Sequence, residues 1–269
     1  MTDLDLSSYF ARIGYSGQQA PTLGTLQALH RLHPSAITFE NLDPLMKRPV
    51  SLEPGAVESK LVEQGRGGYC YEQNTLFASV LRRLGYAVAE FSASVQWGVP
   101  EGVARPRTHM VLRVGLPEGD YLADVGFGRL TLTAPLRWQP DLEQRTPHGL
   151  HRLVCVGDEL QLQVRLVDHW APIYQVSPQE RTPADWEVAN RFSATHPDSI
   201  FTSNLIVARP VGDLIYALLN HRLSIHHPNG TVERHTAKDP CELALLLQNR
   251  FGMRLPEGFE HVIERLPKG

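Results

Sequence analysis

The chain has 269 residues, 42% hydrophobic and 20% charged, enough for one large or two to three smaller packed units. A formal net charge of -3 and a pI near 6.5 exclude electrostatic capture by nucleic acid or an anionic membrane surface. Three cysteines without a CxxC, an acidic opening (Met1-Thr2-Asp3-Leu4-Asp5-Leu6) unlike a signal peptide, and no apolar run of about eighteen residues predict a cytoplasmic protein without a membrane span.

Residues 1–84 read as mainly helical. Thr22, preceded by Pro21, opens a helix with Leu23, Leu26, Leu29 and Leu32 on one face, and Pro34 is expected to end it. His30 and His33 lie three apart on this helix. No acidic or cysteine ligand stands at matching spacing, so a packed or exposed pair is expected rather than a metal site. In the polar segment 37–43, Glu40 is a candidate for a buried ion pair with Arg66; a solvated surface pair is the alternative. The stretch Arg66-Gly67-Gly68-Tyr69-Cys70-Tyr71-Glu72-Gln73-Asn74 follows, then apolar residues at Leu76, Phe77, Val80, Leu81 and Leu84 in helical spacing, then Gly85 where a helix stops. The two glycines permit a tight turn, which places Cys70 at or just before a helix N-terminus. The unpaired amides and macrodipole there favour a thiolate, although a buried structural cysteine fits the same pattern.

From about residue 86 the period changes to two. Strands are expected over 86–95, 108–114 and 121–126, with the second and third joined by a turn at Pro117-Glu118-Gly119-Asp120. Further strands over 152–156, 160–167 and 170–176, with Gly157-Asp158 as a turn, suggest an antiparallel barrel or sandwich. Residues 178–183 read as a break. A helix is expected around 186–192, a strand over 205–208, a hairpin turn at Pro228-Asn229-Gly230 and a helix over Pro240–Phe251. The pattern is helical, then all-β, then α/β.

A thiol nucleophile needs a base, and the base needs an orienting group. His109 and Asp124 fall on the two strands of the expected hairpin, whose midpoint near Leu116-Pro117 would set them roughly side by side, within one or two residues of register. Asp124 lies in the apolar, glycine-flanked run Ala123-Asp124-Val125-Gly126-Phe127-Gly128, where a buried carboxylate needs a partner. Each residue alone also fits a lone core histidine and a turn aspartate. The three together point to a Cys-His-Asp arrangement.

The segment 66–74 resembles the active-site motif of the arylamine N-acetyltransferases, RGGxCxE-x-N. Tyr9-Phe10-Ala11-Arg12-Ile13-Gly14-Tyr15, Phe39-Glu40-Asn41-Leu42, Thr108-His109-Met110, 123–128 and His196-Pro197-Asp198-Ser199-Ile200-Phe201 resemble further signatures of that family, in the same order along the chain. Thr38 departs from the pattern, since the family commonly carries proline there. The resemblance implies an α+β fold of three domains: a helical bundle over 1–84 carrying the nucleophile, an antiparallel β-barrel over 85–183 carrying His109 and Asp124, and an α/β lid over 184–269. It also implies a Cys70-His109-Asp124 triad and acetyl transfer from acetyl-CoA to an aromatic amine or hydrazine, by a ping-pong route through an acetyl-cysteine. Such a reaction places the protein in xenobiotic metabolism.

An acceptor pocket needs an apolar floor that limits water, and Phe39, Phe127 and Phe201 are the candidates, with simple core packing as the alternative. The chain has no GxGxxG or Walker loop for coenzyme A; Gly126 and Gly128 either let the pantetheine approach the backbone or only turn the chain. His221, His226, His227 and His235 match no compact ligand set with Cys241, so no metal is expected; Cys155 and Cys241 are expected to be buried apolar residues. Nothing in the sequence bears on oligomeric state. Two other activities fit the same scaffold, a macrolactam-forming amide synthase and a cysteine hydrolase, and a catalytically inert binding protein is a third alternative.

Overall fold

The structure, a computed structural model, describes residues 4–100, 103 and 105–267, so Met1, Thr2 and Asp3 of the acidic opening lie outside the described residues. Helix α1 (Leu6–Ile13) begins where the Asp5 carboxylate accepts from the Ser7 amide. Helix α2 (Leu23–Ala36) begins at Thr22, as expected, but does not stop at Pro34: Ile37 N–H still donates to the His33 carbonyl. A proline in the last turn removes one hydrogen bond and leaves the helix little further to run. The polar segment forms strand β1 (Phe39–Glu40) and the single turn α3 (Leu42–Leu45). Helix α4 (Pro54–Glu58) continues into a π-helical turn, Ser59–Glu63. Helix α5 (Cys70–Arg83) buries Leu76, Phe77, Val80 and Leu81 against Tyr9, Leu26 and Leu29. The same core takes in Leu112, Val114, Ala123 and Val125, so the helices rest directly on the following sheet.

That sheet has eight antiparallel strands: β2 (Ala87–Val95), β3 (His109–Leu116), β4 (Gly119–Ala123), β5 (Leu136–Arg137), β6 (Gln144–Thr146), β7 (Gly149–Val156), β8 (Glu159–Arg165) and β9 (Trp170–Glu180). The order β5-β4-β3-β2-β9-β8-β7-β6 leaves β5 and β6 as edges of a barrel-like curl. Gln144 ties those edges: its amide donates to the Arg137 carbonyl at 3.1 Å and its side-chain oxygen accepts from Arg137 N–H at 2.6 Å. Strand β9 runs on into the expected break and ends at Glu180, leaving two residues before α6 begins. Its register against β2 shifts between Ala93↔Val176 and Phe91↔Glu180, which places Pro178 in a bulge where no ladder donor is needed. The turn between β3 and β4 is Pro117-Glu118 alone, closed by Leu116↔Gly119.

Helices α6 (Pro183–Thr195) and α7 (Ile200–Ser203) lead into a meander, β10 (Ile206–Val211), β11 (Leu214–Leu219), β12 (Arg222–His226) and β13 (Val232–Thr236), then α8 (Pro240–Phe251) and α9 (Glu260–Ile263). The Pro228-Asn229-Gly230 turn joins β12 to β13, and α8 has the expected bounds. A second antiparallel sheet, β1-β10-β11-β12-β13, takes its first strand from residues 39–40. Leu42 is buried in one core with Leu205, Val207, Leu247 and Phe251, and the Thr38 hydroxyl donates to the Phe251 carbonyl at the end of α8.

Cys155 and Cys241 are not buried. Cys155 shares the face of the inward Leu153 but lies at the end of β7, beside the Gly157-Asp158 turn, where that face runs out into solvent; Cys241 lies in the first turn of α8, about 200° around the helix from the buried Leu243. Among the described residues no helix is long and apolar enough to cross a membrane.

Candidate active site

Cys70 is the first residue of α5, and Tyr69 caps that helix. The glycine turn is dictated by contact. A Cβ on Gly67 would lie 2.1 Å from the Thr38 carbonyl oxygen, and one on Gly68 would lie 2.6 Å from a Glu72 carboxylate oxygen. The turn can therefore pair with β1, Glu40 N–H donating to Gly68 O at 3.1 Å and Gly68 N–H to Thr38 O at 3.3 Å. Glu72 reaches back to accept from Tyr69 N–H at 3.1 Å. The anticipated Arg66–Glu40 pair is present at 3.1 Å inside a larger buried cluster. Arg66 also meets Asp43 at 2.9 Å, and Lys60 bridges Asp43 at 2.6 Å and Glu72 at 2.5 Å.

His109 opens β3, and Asp124 lies one residue past the end of β4. The observed register would set Asp124 across from Val111, two residues from His109, the limit of the sequence expectation. The side chains still meet, His109 Nε2 lying 2.7 Å from Asp124 Oδ2. The other carboxylate oxygen accepts from Asn74 Nδ2 at 3.0 Å and from Gly126 N–H at 2.9 Å. Asn74 also donates to Met110 O and accepts from Val125 N–H, so the last residue of the motif ties both strands to α5. The Cys70 thiol donates to the Thr108 carbonyl at 3.8 Å, next to His109, whose free nitrogen is Nδ1. Burial by itself pushes His109 down, but the Asp124 carboxylate outweighs it and, with Cys70, raises the ring to about 10. Burial likewise pushes Asp124 up, and His109 with Asn74 and Gly126 N–H outweigh it and hold the carboxyl below its ordinary value. At near-neutral pH the pair is imidazolium and carboxylate.

Cys70 and His109 open onto a cavity of about 640 Å³. Phe39, Phe127, Phe201, Gly126 and Gly128 line it too, so every residue expected at the site is brought to one place. The Phe127 ring stands edge-on to His109 with centroids 5.0 Å apart, and Phe201 packs 6.3 Å from Phe39 and 5.4 Å from Tyr69. Gly126 is required by packing: a Cβ there would fall 2.9 Å from Cys70 Cα. Gly128 has a φ of 86° in a turn where the Thr131 hydroxyl accepts from the amides of both Phe127 and Gly128.

Sequence reasoning missed Asn74, Thr131 and Lys60 as structural members of the site. Asn74 could have been marked by the motif, whereas Lys60 and Thr131 carry no local signal. It also missed His30, whose Nε2 accepts from Asp124 N–H. The histidines of the C-terminal sheet are dispersed, His227 facing Glu233 at 2.6 Å and His235 facing Glu242 at 2.7 Å.

Residues 22–259 match the family model described as N-acetyltransferase. A relative named arylamine N-acetyltransferase from Escherichia coli (strain K12) is 41% identical over 249 residues, spanning 92% of this chain and 88% of the relative. One of the same name from Mycolicibacterium smegmatis is 40% identical over 256 residues, 94% of this chain and 93% of the relative. The solved structure of Mycobacterium marinum arylamine N-acetyltransferase in complex with CoA superposes with a TM-score of 0.94 at 39% identity, covering 98% of this chain and 100% of the other.

Proposed function

The chain belongs to the arylamine N-acetyltransferase family of acyltransferases, and we propose that it carries an acetyl group from acetyl-CoA to the nitrogen of an arylamine or arylhydrazine through an acetylated Cys70. One observation carries this reading: a cysteine at a helix N-terminus, against a histidine held 2.7 Å from a buried aspartate, on the wall of a cavity lined with phenylalanines.

The chemistry follows from the residues. Asp124 holds His109 through Nε2, so Nδ1 takes the Cys70 proton and the resting pair is thiolate and imidazolium, favoured further by the α5 macrodipole. Cys70 attacks the acetyl carbonyl, and backbone amides at the start of α5, that of Cys70 among them, face the oxyanion. His109 returns its proton to the departing CoA sulfur, leaving an acetyl thioester on Cys70. The arylamine nitrogen then attacks that carbonyl, His109 takes the amine proton, and the Cys70 thiolate leaves with the imidazolium restored. The phenylalanine floor receives a flat ring and keeps water from the thioester. CoA binding by the M. marinum relative supports the donor, whose pantetheine arm we place along the cavity wall at Gly126 and Gly128.

Intact-mass measurement tests both halves. Acetyl-CoA alone is expected to add one acetyl group to the wild-type protein and none to Cys70→Ala, and an added arylamine removes it with parallel double-reciprocal kinetics. A folded protein that acquires no adduct, or a rate law requiring both substrates bound at once, overturns the reading.

A further inference from the structure

We propose that His30, on α2, is a positioning residue for the reacting group, holding the main chain of Asp124 through an uncharged ring nitrogen; the proposal rests on reading Asp124 as the partner of His109. Asp124 N–H donates to His30 Nε2 at 3.0 Å. A backbone amide only donates, so Nε2 must carry a lone pair and the proton of the neutral ring must sit on Nδ1. That Nδ1 is buried with no hydrogen-bond partner among the described residues. An apolar side chain of similar shape would remove that unpartnered donor but leave the buried Asp124 N–H without an acceptor, so what the histidine supplies here is the lone pair it offers Asp124. The ring is fully buried and stands edge-on to Phe77 at 5.7 Å, which fixes its orientation.

The contact holds a part of Asp124 that the other anchors leave free. Asn74, Gly126 N–H and His109 all bond the carboxylate, whereas His30 bonds the amide at the point where the chain leaves β4. One turn along α2, His33 does the matching work for the nucleophile. Its Nε2 lies 2.7 Å from the Gln73 side-chain oxygen, the Tyr9 hydroxyl lies 2.9 Å from its Nδ1, and Gln73 donates to the carbonyls of Ile37, Thr38 and Gly68. The three-residue spacing thus directs one histidine to each side of the Cys70-His109-Asp124 group. Burial, opposed by Asp124, pushes His30 down to about 4, consistent with a ring that stays neutral; a proton on Nε2 would face the Asp124 N–H donor to donor.

The test is the rate of Cys70 alkylation by iodoacetamide against pH, beside steady-state acetyl transfer, in wild type, His30→Leu and His30→Gln. The leucine variant is expected to lose on the order of 10- to 100-fold in kcat/KM, mostly in kcat, as for loss of a contact that orients a reacting histidine. Its alkylation limb moves to higher pH because His109 is less well supported. Glutamine, whose Oε1 can accept the same N–H, restores most of both. Wild-type rates and profile in folded His30→Leu, or equal damage in His30→Gln, overturn the proposal. Should neither variant fold, nitrogen-resolved NMR of the wild-type ring decides: Nδ1 protonated and Nε2 bare between about pH 6 and 8 supports it, a protonated Nε2 overturns it. Wild-type protein that takes no acetyl group would sink acetyl transfer alone, since the alkylation limb reads the His30 contact without acetyl-CoA.

Discussion

Asp124 is a meeting point of the site. Its carboxylate is shared among His109, Asn74 and Gly126 N–H. Asp124→Asn keeps the shape but removes the charge and presents an amide to His109 Nε2, which inverts the tautomer. The expected result is a fall in the Cys70 acetylation rate on the order of 10³- to 10⁴-fold with an unchanged fold, read by quenched-flow mass spectrometry and circular dichroism. Asn74→Ala leaves Met110 O, Val125 N–H and Asp124 short of partners at a buried point. It is expected to cost about 1–3 kcal/mol in urea unfolding. Cys70, His109, Asp124 and the three phenylalanines could be named from the sequence because each stands in a segment that resembles a family motif. The sequence did not disclose His30, because nothing in a helical period tells that a ring nitrogen will meet a backbone amide 94 residues away.

At the level of elements, the turn 66–68 and β1 form one unit whose spacing leaves no room for a methyl group. Gly67→Ala would drive a Cβ into the Thr38 carbonyl and into Glu40 Cγ at 2.7 Å, parting β1 from the turn. It is expected to destabilise by about 1–3 kcal/mol and to slow acetylation of Cys70, checked by thermal melting and intact mass. Six strands of the large sheet and β10 were legible through alternation, β5, β6 and β11 were not, and α8 was legible through its leucines and Gly252. Two of the misread boundaries were at prolines. Pro34 and Pro178 look like breakers, yet one lies in the last turn of α2 and the other in a bulge of β9, places where a missing N–H costs little. Residues 39–40 show no period in the sequence because two residues are too few, and their strand exists through β10 on one side and the Gly68 turn on the other.

Across the whole molecule, buried histidines set how stability responds to pH. Burial lowers His30 to about 4, His33 to about 3 and His151 to about 4, against an ordinary value of 6.5 that the unfolded chain retains. As pH falls below 6.5 the unfolded chain binds protons that the folded one refuses, so stability present above 6.5 is lost progressively toward 4. His109 has the opposite sign: raised to about 10, it stabilises fully below 6.5, and that contribution is lost as pH rises through about 10. Each group contributes a slope on the order of 1.4 kcal/mol per pH unit in its window. Urea midpoints should therefore peak near pH 6.5 and fall more steeply on the acid side than on the alkaline side; a flat acid side would contradict these burials.

The strand at residues 39–40 also has a consequence in time. A chain leaving the ribosome exposes Cys70 long before Ala208, which pairs with Phe39, and longer still before Phe251, whose carbonyl takes the Thr38 hydroxyl. The thiol is thus made early and housed late. Until synthesis passes Phe251, the nascent chain carries a cysteine whose glycine turn lacks its outer support, and only afterwards do that strand and that thiol share a finished wall.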